Sequence, residues 1–509
     1  MAAVMGTPSL VGTHARRVLP DRSTHKCHRD CPRIASCTAR ALSIKAQRRA
    51  HPVRAHVSEV AVAAHSLDSQ ASSRAAVDES GVLQVKGGKR LEGVIPVGGA
   101  KNSALALLAG SLLCPGELVL HNVPKLRDIL KMFDVLESVG ASVSLSDGSV
   151  VLDASQLTSG NPKPEAVQEL RASFLVLGPL VARLGEATVS LPGGCAIGAR
   201  PVDIHLKGLE MLGATVEVTD DGFVRATAPM SSSGSRRLQG ANMRLKFPSV
   251  GATETLMMAA SLAEGETVIE NAAQEPEIVD LADLLNSMGA RIQGAGTATM
   301  VITGVETLHP CEFTTIPDRI EAGTFLCAAA ITASPLSVGP IVPAHMLPIF
   351  NTLEAMGCKV NMEGDHAVLV PAKAPLLPVD IVTLPYPGFP TDMQPQFVAL
   401  LATAAGPSTV RETVFEGRME CARQMTKFGC DIKVEDSSAY IQGGAGLRGG
   451  CRVEGTDLRA TAALALAGLA AEGETLVGGL KHLVRGYEGF EVKLQRVGAD
   501  IRRIPDDQL

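Results

Sequence analysis

The sequence predicts an α/β fold of two lobes, each built from three copies of one unit, with buried helices inside and sheets outside. Three observations predict it. A glycine signature recurs six times at near-constant spacing. A small-residue apolar segment recurs between those signatures. And 509 residues exceed what one ordinary core accommodates.

The signature is an apolar residue, Gly, a small residue and a strand-like stretch. It stands at Val139-Gly140-Ala141, Leu212-Gly213-Ala214, Met288-Gly289-Ala290, Met356-Gly357-Cys358, Phe428-Gly429-Cys430 and Val497-Gly498-Ala499. The glycines are 73, 76, 68, 72 and 69 residues apart. Apolar residues precede each at helical intervals, as in Leu206, Leu209 and Leu212, and alternation follows, as in Thr215-Val216-Glu217-Val218. Gly between a helix and a strand reads as a helix C-cap.

The second marker begins near Ser103, Ala172, Ala252, Gly323, Gln394 and Arg459. Segments such as Ser103–Leu113 and Ala460–Leu469 are apolar nearly all round, which means burial on every side. Aromatics are only 3% of the chain and Trp is absent, so the cores are built from small and aliphatic residues. Six units of about 70 residues fill the last 430 residues, and three per lobe is the economical grouping. The seam falls near Pro317-Asp318-Arg319, and the lobes meet at a ligand-sized cleft. The first strand, Val82–Val97, could complete either lobe.

The leader is of another kind. Residues 1–79 carry 12 Lys+Arg against 6 Asp+Glu, whereas the remaining 430 carry 35 against 47. Up to Arg54 the only acids are Asp21 and Asp30, amid scattered Ser and Thr. This is the composition of an organellar transit peptide, and the location expected for the mature protein is the plastid stroma. A nucleic-acid arm is disfavoured, because the body is acidic and has no interleaved aromatics. Cys27, Cys31 and Cys37 near His25 and His28 lack a fourth ordered ligand, so no metal is expected there. No apolar run reaches the ~18 residues of a membrane helix.

Chemistry concentrates in Leu191-Pro-Gly-Gly-Cys195-Ala-Ile-Gly-Ala-Arg200-Pro-Val-Asp203-Ile-His205. Glycines and prolines shape a loop that carries one thiol and one permanent cation. A nearby cation makes a thiol a better nucleophile or proton donor, although a lone Cys among small residues is also a small core hydrophobe. Lys101 and Asn102 open the first buried helix, a ready site for phosphate or carboxylate. Arg171 opens the second and Arg459 the sixth, and Arg485 lies in Arg485-Gly-Tyr487-Glu488. Arginines beside buried helices, together with Arg200 and Lys101 at equivalent unit ends, point to an anionic substrate. Asp318, Glu321 and Asp392 precede or open buried helices, as caps or as groups placed to take a proton. Gly444-Ala-Gly446-Leu-Arg-Gly449 has dinucleotide spacing but no following helix, and reads as a loop.

From about Val82 to Ile504 the chain resembles the enolpyruvyl transferase (EPSP synthase) family, in particular its branch acting on UDP-N-acetylglucosamine. The likeness rests on Gly99-Ala-Lys101-Asn102, Arg171-Ala-Ser173, Leu191–Asp203, Ser249-Val-Gly-Ala-Thr253, Glu275-Pro-Glu277, Pro317-Asp-Arg319, Phe389-Pro-Thr-Asp392, Asp457-Leu-Arg459 and Arg485-Gly-Tyr487. The resemblance implies two inside-out α/β barrels of three βαβαββ repeats each. It implies one lobe at 101–316 and a second made of 80–100 with 317–509, with the leader, residues 1–79, outside the likeness. It implies enolpyruvyl transfer from phosphoenolpyruvate to the 3′-hydroxyl of UDP-N-acetylglucosamine, the step that begins peptidoglycan synthesis. By that likeness Lys101, Arg200 and Arg485 hold phosphoenolpyruvate, and Arg171 and Arg459 add to the charged cleft. Asn102, Ser249, Val250, Asp392 and Val414 line the sugar-nucleotide site; Asp392 is the base. Cys195 protonates or covalently holds the enolpyruvyl carbons. The resemblance implies no metal, organic cofactor, nucleic-acid or membrane partner, and a monomer. Phe247 stands where some relatives carry Lys, with Lys246 beside it. The alternatives are the shikimate-pathway transferase of the same fold and a catalytically silent plastid scaffold. The cysteine loop and Glu275-Pro-Glu277 argue against the first, and the full set of Lys101, Cys195, Arg200, Asp392 and Arg485 against the second.

Overall fold

The computed structural model describes residues 77–192, 202–232, 234–415, 417–444 and 446–508. All six signature glycines have positive φ, between +83° and +104°, a region other residues rarely enter. Each therefore ends its helix and turns the chain into a strand, which is why the period is so regular.

The small-residue segments form helices at Lys101–Ser111, Leu177–Leu184, Val250–Ser261, Arg319–Ile331, Gln394–Ala402 and Leu458–Ala470. In the fourth of these every residue from Ile320 to Ile331 is buried. Glycine lets these helices approach closely: a Cβ on Gly178 would lie 2.5 Å from the Thr255 carbonyl oxygen. The second helix departs from the expected start at Arg171. Residues Arg171–Val176 form a 3-10 turn, and the α-helix begins only at Leu177. Pro179 supplies no N–H and crowds residue 175, so an α-helical ladder cannot run through from Arg171.

Around the helices lie five four-stranded sheets and one three-stranded sheet among the described residues. In the first unit Glu117–His121 pairs antiparallel with Ser149–Asp153, which pairs with Ser142–Ser146. The free edge of Glu117–His121 takes Glu312–Thr314 in parallel, from the end of the third unit. The sixth unit borrows its middle strand: Val82–Lys86 runs antiparallel between Glu474–Gly478 and Asp500–Ile504. Val82–Val97 is thus not one strand. It breaks after Lys86 at Gly87-Gly88, where Gly88 has φ +82°, and resumes as Gly93–Pro96, parallel to Leu336–Gly339.

The buried apolar residues fall into two clusters. One runs from Ala104 to Leu308. The other joins Leu83–Val97 to Ile320–Ile501. They are called the N-terminal and C-terminal lobes below. Near the chain crossings Gly99 bridges to Pro317, and Asp318 accepts the Lys101 N–H. The ends of the first and fourth buried helices therefore meet.

Candidate active site

Lys101 is the first residue of the first buried helix, and its side chain is 10% exposed. Its Nζ lies 3.0 Å from Asp128 Oδ2. Asp128 comes from the outer helix Arg127–Ser138 of the same lobe. Its other oxygen accepts from Arg485 Nε at 2.8 Å, across the lobes. Burial would raise the Asp128 carboxyl, but Lys101 and Arg485 outweigh it and hold it below the usual range.

Asp392 lies in the 3-10 turn Thr391–Met393 before the fifth buried helix. Its carboxylate turns to arginines, unlike that of Asp318, which accepts from the Ile320 and Glu321 amides. Arg418 Nη1 donates to Asp392 Oδ1 at 2.8 Å, and Arg459 donates through Nε and Nη2 to Oδ2 at 3.2 and 3.0 Å. Burial pushes the Asp392 carboxyl up, yet Arg459 and Arg418, with Lys101 adding to them, hold it far below the carboxylate range. Arg319 also faces this carboxylate electrostatically. Arg459 is 1% exposed and stacks 5.2 Å from the Tyr487 ring centre. Its Nη1 is buried and has no hydrogen-bond partner among the described residues. A buried guanidinium donor left open is costly unless a ligand takes it.

Val414 belongs to the same neighbourhood. Glu412 Oε1 accepts the Val414 and Phe415 amides at 2.8 and 3.0 Å, and Oε2 accepts Thr391 Oγ1 at 2.9 Å. Thr391 Oγ1 in turn accepts from Arg418 at 3.0 Å. The Val414 turn and the Asp392 carboxylate are thereby wired together. The Glu275-Pro-Glu277 stretch also crosses the lobes: Glu275 accepts the Tyr386 amide at 3.3 Å and Glu277 pairs with Arg319 at 3.3 Å.

A second group forms where Ser249 caps the third buried helix and Val250 opens it. A Cβ on the next residue, Gly251, would sit 3.2 Å from the His205 ring and 3.9 Å from Leu175. Arg171, half-buried, faces His205 electrostatically. Lys246 pairs with Asp203, the first residue of helix Asp203–Met211, while Phe247 beside it is 40% exposed. His205 is buried, 3.0 Å from Thr255 Oγ1 and edge-on to Phe174. Burial, then Arg171, pushes its pKa down to about 4. Asn102 is exposed on the first turn of its helix. Cys195 and Arg200 lie outside the described residues.

The His205 shift has a measurable consequence. Its folded pKa lies below the ordinary 6.5, so the unfolded state binds the extra proton and stability is lost as pH falls from 6.5 towards 4. Asp280, pushed up to about 6 by burial, has the opposite slope, so wild type and variant are compared at each pH. Between pH 7 and pH 4, His205→Gln is expected to gain on the order of 3 kcal/mol relative to wild type. Urea unfolding at both pH values measures this. A difference that stays constant with pH would refute it.

The structure brings together Lys101, Asp392, Arg459, Arg485 and Val414, and separately Ser249, Val250 and Arg171. Sequence reasoning missed Asp128, Arg418 and Glu412. Arg418 alone carried a signal, since Gly417-Arg418-Met419 precedes a helix much as the other arginines do.

The profile of the EPSP synthase (3-phosphoshikimate 1-carboxyvinyltransferase) family matches residues 85–494. Over 423 residues the chain is 52% identical to UDP-N-acetylglucosamine 1-carboxyvinyltransferase 2 of Carboxydothermus hydrogenoformans, covering 83% of this chain and 99% of that protein. It is 51% identical over 424 residues to the UDP-N-acetylglucosamine 1-carboxyvinyltransferase of Synechocystis sp., covering 83% and 95%. Among solved structures, the enolpyruvyl transferase NikO from Streptomyces tendae matches with a TM-score of 0.76 at 29% identity, covering 84% of this chain and 99% of that one. EPSP synthase from Acinetobacter baumannii matches with a TM-score of 0.64 at 17% identity, covering 83% and 99%, a likeness of fold alone.

Proposed function

The chain belongs to the EPSP synthase family of enolpyruvyl transferases, and from that premise we propose how it works as a UDP-N-acetylglucosamine 1-carboxyvinyltransferase. It transfers the enolpyruvyl group of phosphoenolpyruvate to the 3′-hydroxyl of UDP-N-acetylglucosamine and releases phosphate. About half-identity to relatives of that name, along nearly their whole length, carries the choice of acceptor. The site chemistry suits anionic substrates, because Lys101, Arg485 and Arg459 form a cationic site next to a fixed carboxylate.

In this reading Lys101, Arg485 and Arg200 hold the phosphate of phosphoenolpyruvate. Cys195 delivers a proton to C3, which leaves C2 electrophilic. The sugar 3′-oxygen bonds to C2 while Asp392 takes its proton. The C2–O bond to phosphate then breaks, a C3 proton returns to the Cys195 thiolate, and the enol ether remains. Arg459 and its neighbours stabilise charge as it develops. Ser249, Val250, Asn102, Arg171 and Val414 contact the sugar nucleotide. The single chain is the catalytic unit, since it supplies both lobes of the site. The basic leader supports placement in the plastid stroma, to be tested by importing a fluorescent fusion of residues 1–79 into isolated plastids.

The deciding assay measures phosphate release from phosphoenolpyruvate with either UDP-N-acetylglucosamine or shikimate-3-phosphate. Release is expected only with the former. Turnover confined to shikimate-3-phosphate would overturn the choice of acceptor, and silence with both would favour a scaffold.

A further inference from the structure

We infer that Asp128 is a positioning residue that ties the two lobes together at the phosphate-binding cations. The inference rests on the reading of Lys101 and Arg485 given above. Asp128 is carried by a helix whose Ile129, Met132, Phe133, Val135 and Leu136 are buried in the N-terminal lobe. Its carboxylate is 4% exposed and fixed to that frame. The two oxygens divide their work. Oδ2 holds Lys101 from the same lobe at 3.0 Å, and Oδ1 holds Arg485 from the other lobe at 2.8 Å.

The neighbouring backbone makes the same crossing. The Lys125 amide donates to Glu488 Oε2 and the Arg127 amide to the Val484 carbonyl, each at 3.2 Å. Residues 125–128 and 484–488 therefore form one latch, and the Asp128–Arg485 pair is its charged element. An acid that merely favoured its helix N-terminus would sit in solvent and need no partner in another lobe. Asp128 also keeps two cations side by side before substrate arrives, where they would otherwise repel each other. The trio keeps a net charge of +1 and still attracts a phosphate. Without the Asp128 carboxylate, Arg485 has lost its tie to the lobe that carries Lys101, and the two cations are no longer held as one site.

The test uses the full chain carrying Asp128→Asn or Asp128→Glu. Hydrogen exchange is followed without ligand, and steady-state kinetics and calorimetric binding of UDP-N-acetylglucosamine alone are measured in parallel. In Asp128→Asn the Lys125 and Arg127 amides are expected to exchange about 10-fold faster or more, as a charged hydrogen bond across the latch is lost. Amides of the first buried helix keep their rates. KM for phosphoenolpyruvate rises about 10- to 100-fold on the same grounds, while binding of UDP-N-acetylglucosamine stays within about 3-fold. Asp128→Glu recovers part of both effects. Unchanged exchange at Lys125 and Arg127 overturns the inference. So does faster exchange throughout the chain with both substrates weakened alike, which is what a merely structural residue would give. A wild type inactive on UDP-N-acetylglucosamine would refute the proposed function, yet the exchange measurement would still decide the latch.

Discussion

Replacing Asp392 by Asn is expected to lower kcat by about 10²- to 10⁴-fold, the usual contribution of a general base. The geometry makes this more than loss of a charge. Both carboxylate oxygens are occupied, one by Arg418 and one by Arg459, and a carboxyl held this far below its ordinary range is a weak base while both pairs persist. A weak base suffices if the proton it takes has become acidic. In the proposed mechanism the 3′-hydroxyl becomes so only as its oxygen bonds to an electrophilic C2, so transfer to Asp392 would wait until C–O bonding is under way. Asn keeps an acceptor for one guanidinium but cannot take that proton. It also leaves two buried cations short of a counter-charge, which costs on the order of 3–5 kcal/mol when a buried pair is broken. The Tm therefore falls as well, and turnover has to be compared well below it. KM for phosphoenolpyruvate should change little, because Lys101 and Arg485 are held by Asp128 instead. A folded Asp392→Asn enzyme with kcat within about 10-fold of wild type would remove Asp392 from the role of base.

The repeats were legible because backbone constraint and burial both act locally. Gly140 and its five counterparts need positive φ, and Ile320–Ile331 has no polar face to show. The candidate site was legible as separate groups: cations, the Cys195 thiol and the Asp392 carboxylate. Their pairings were not, because Arg485 and Asp128 are 357 residues apart and Arg459 and Asp392 are 67 apart. Such pairs arise from the closing of sheets and lobes, which no spacing encodes. Asp128 reads as an ordinary acid in a first helical turn. Asp318 and Asp392 look alike in sequence, each beside a buried helix. Only the fold shows that Asp318 caps its helix while Asp392 turns to the arginines. The break in Val82–Val97 was written in Gly87-Gly88, but a strand edge cannot announce which sheet it will complete.

The other large effect concerns Cys195. Cys195→Ala is expected to lose turnover by about 10²-fold or more, as an acid–base or nucleophilic group is deleted, while retaining binding of UDP-N-acetylglucosamine. An epoxide of the fosfomycin type should alkylate the same thiol: the sulfur attacks a ring carbon, the C–O bond opens, and the alkoxide takes up a proton. Selectivity follows from the other thiols of the body. Burial raises the pKa of Cys114, Cys311, Cys327, Cys358, Cys421 and Cys451, and pushes Cys430 up to about 12. Each is a poor source of thiolate, and thiolate is the nucleophile. Cys195 lies between a strand ending at Ser190 and a helix starting at Asp203, flanked by Gly193, Gly194 and Gly198. Peptide mapping after treatment separates it from Cys27, Cys31 and Cys37 of the leader. One modification at Cys195, absent from Cys195→Ala and accompanied by lost phosphate release, is the expected result. An unlabelled Cys195 in an inactivated enzyme would place the reactive group elsewhere. Full turnover by Cys195→Ala would assign the C3 proton to another donor, and Lys101 would then be the residue to test.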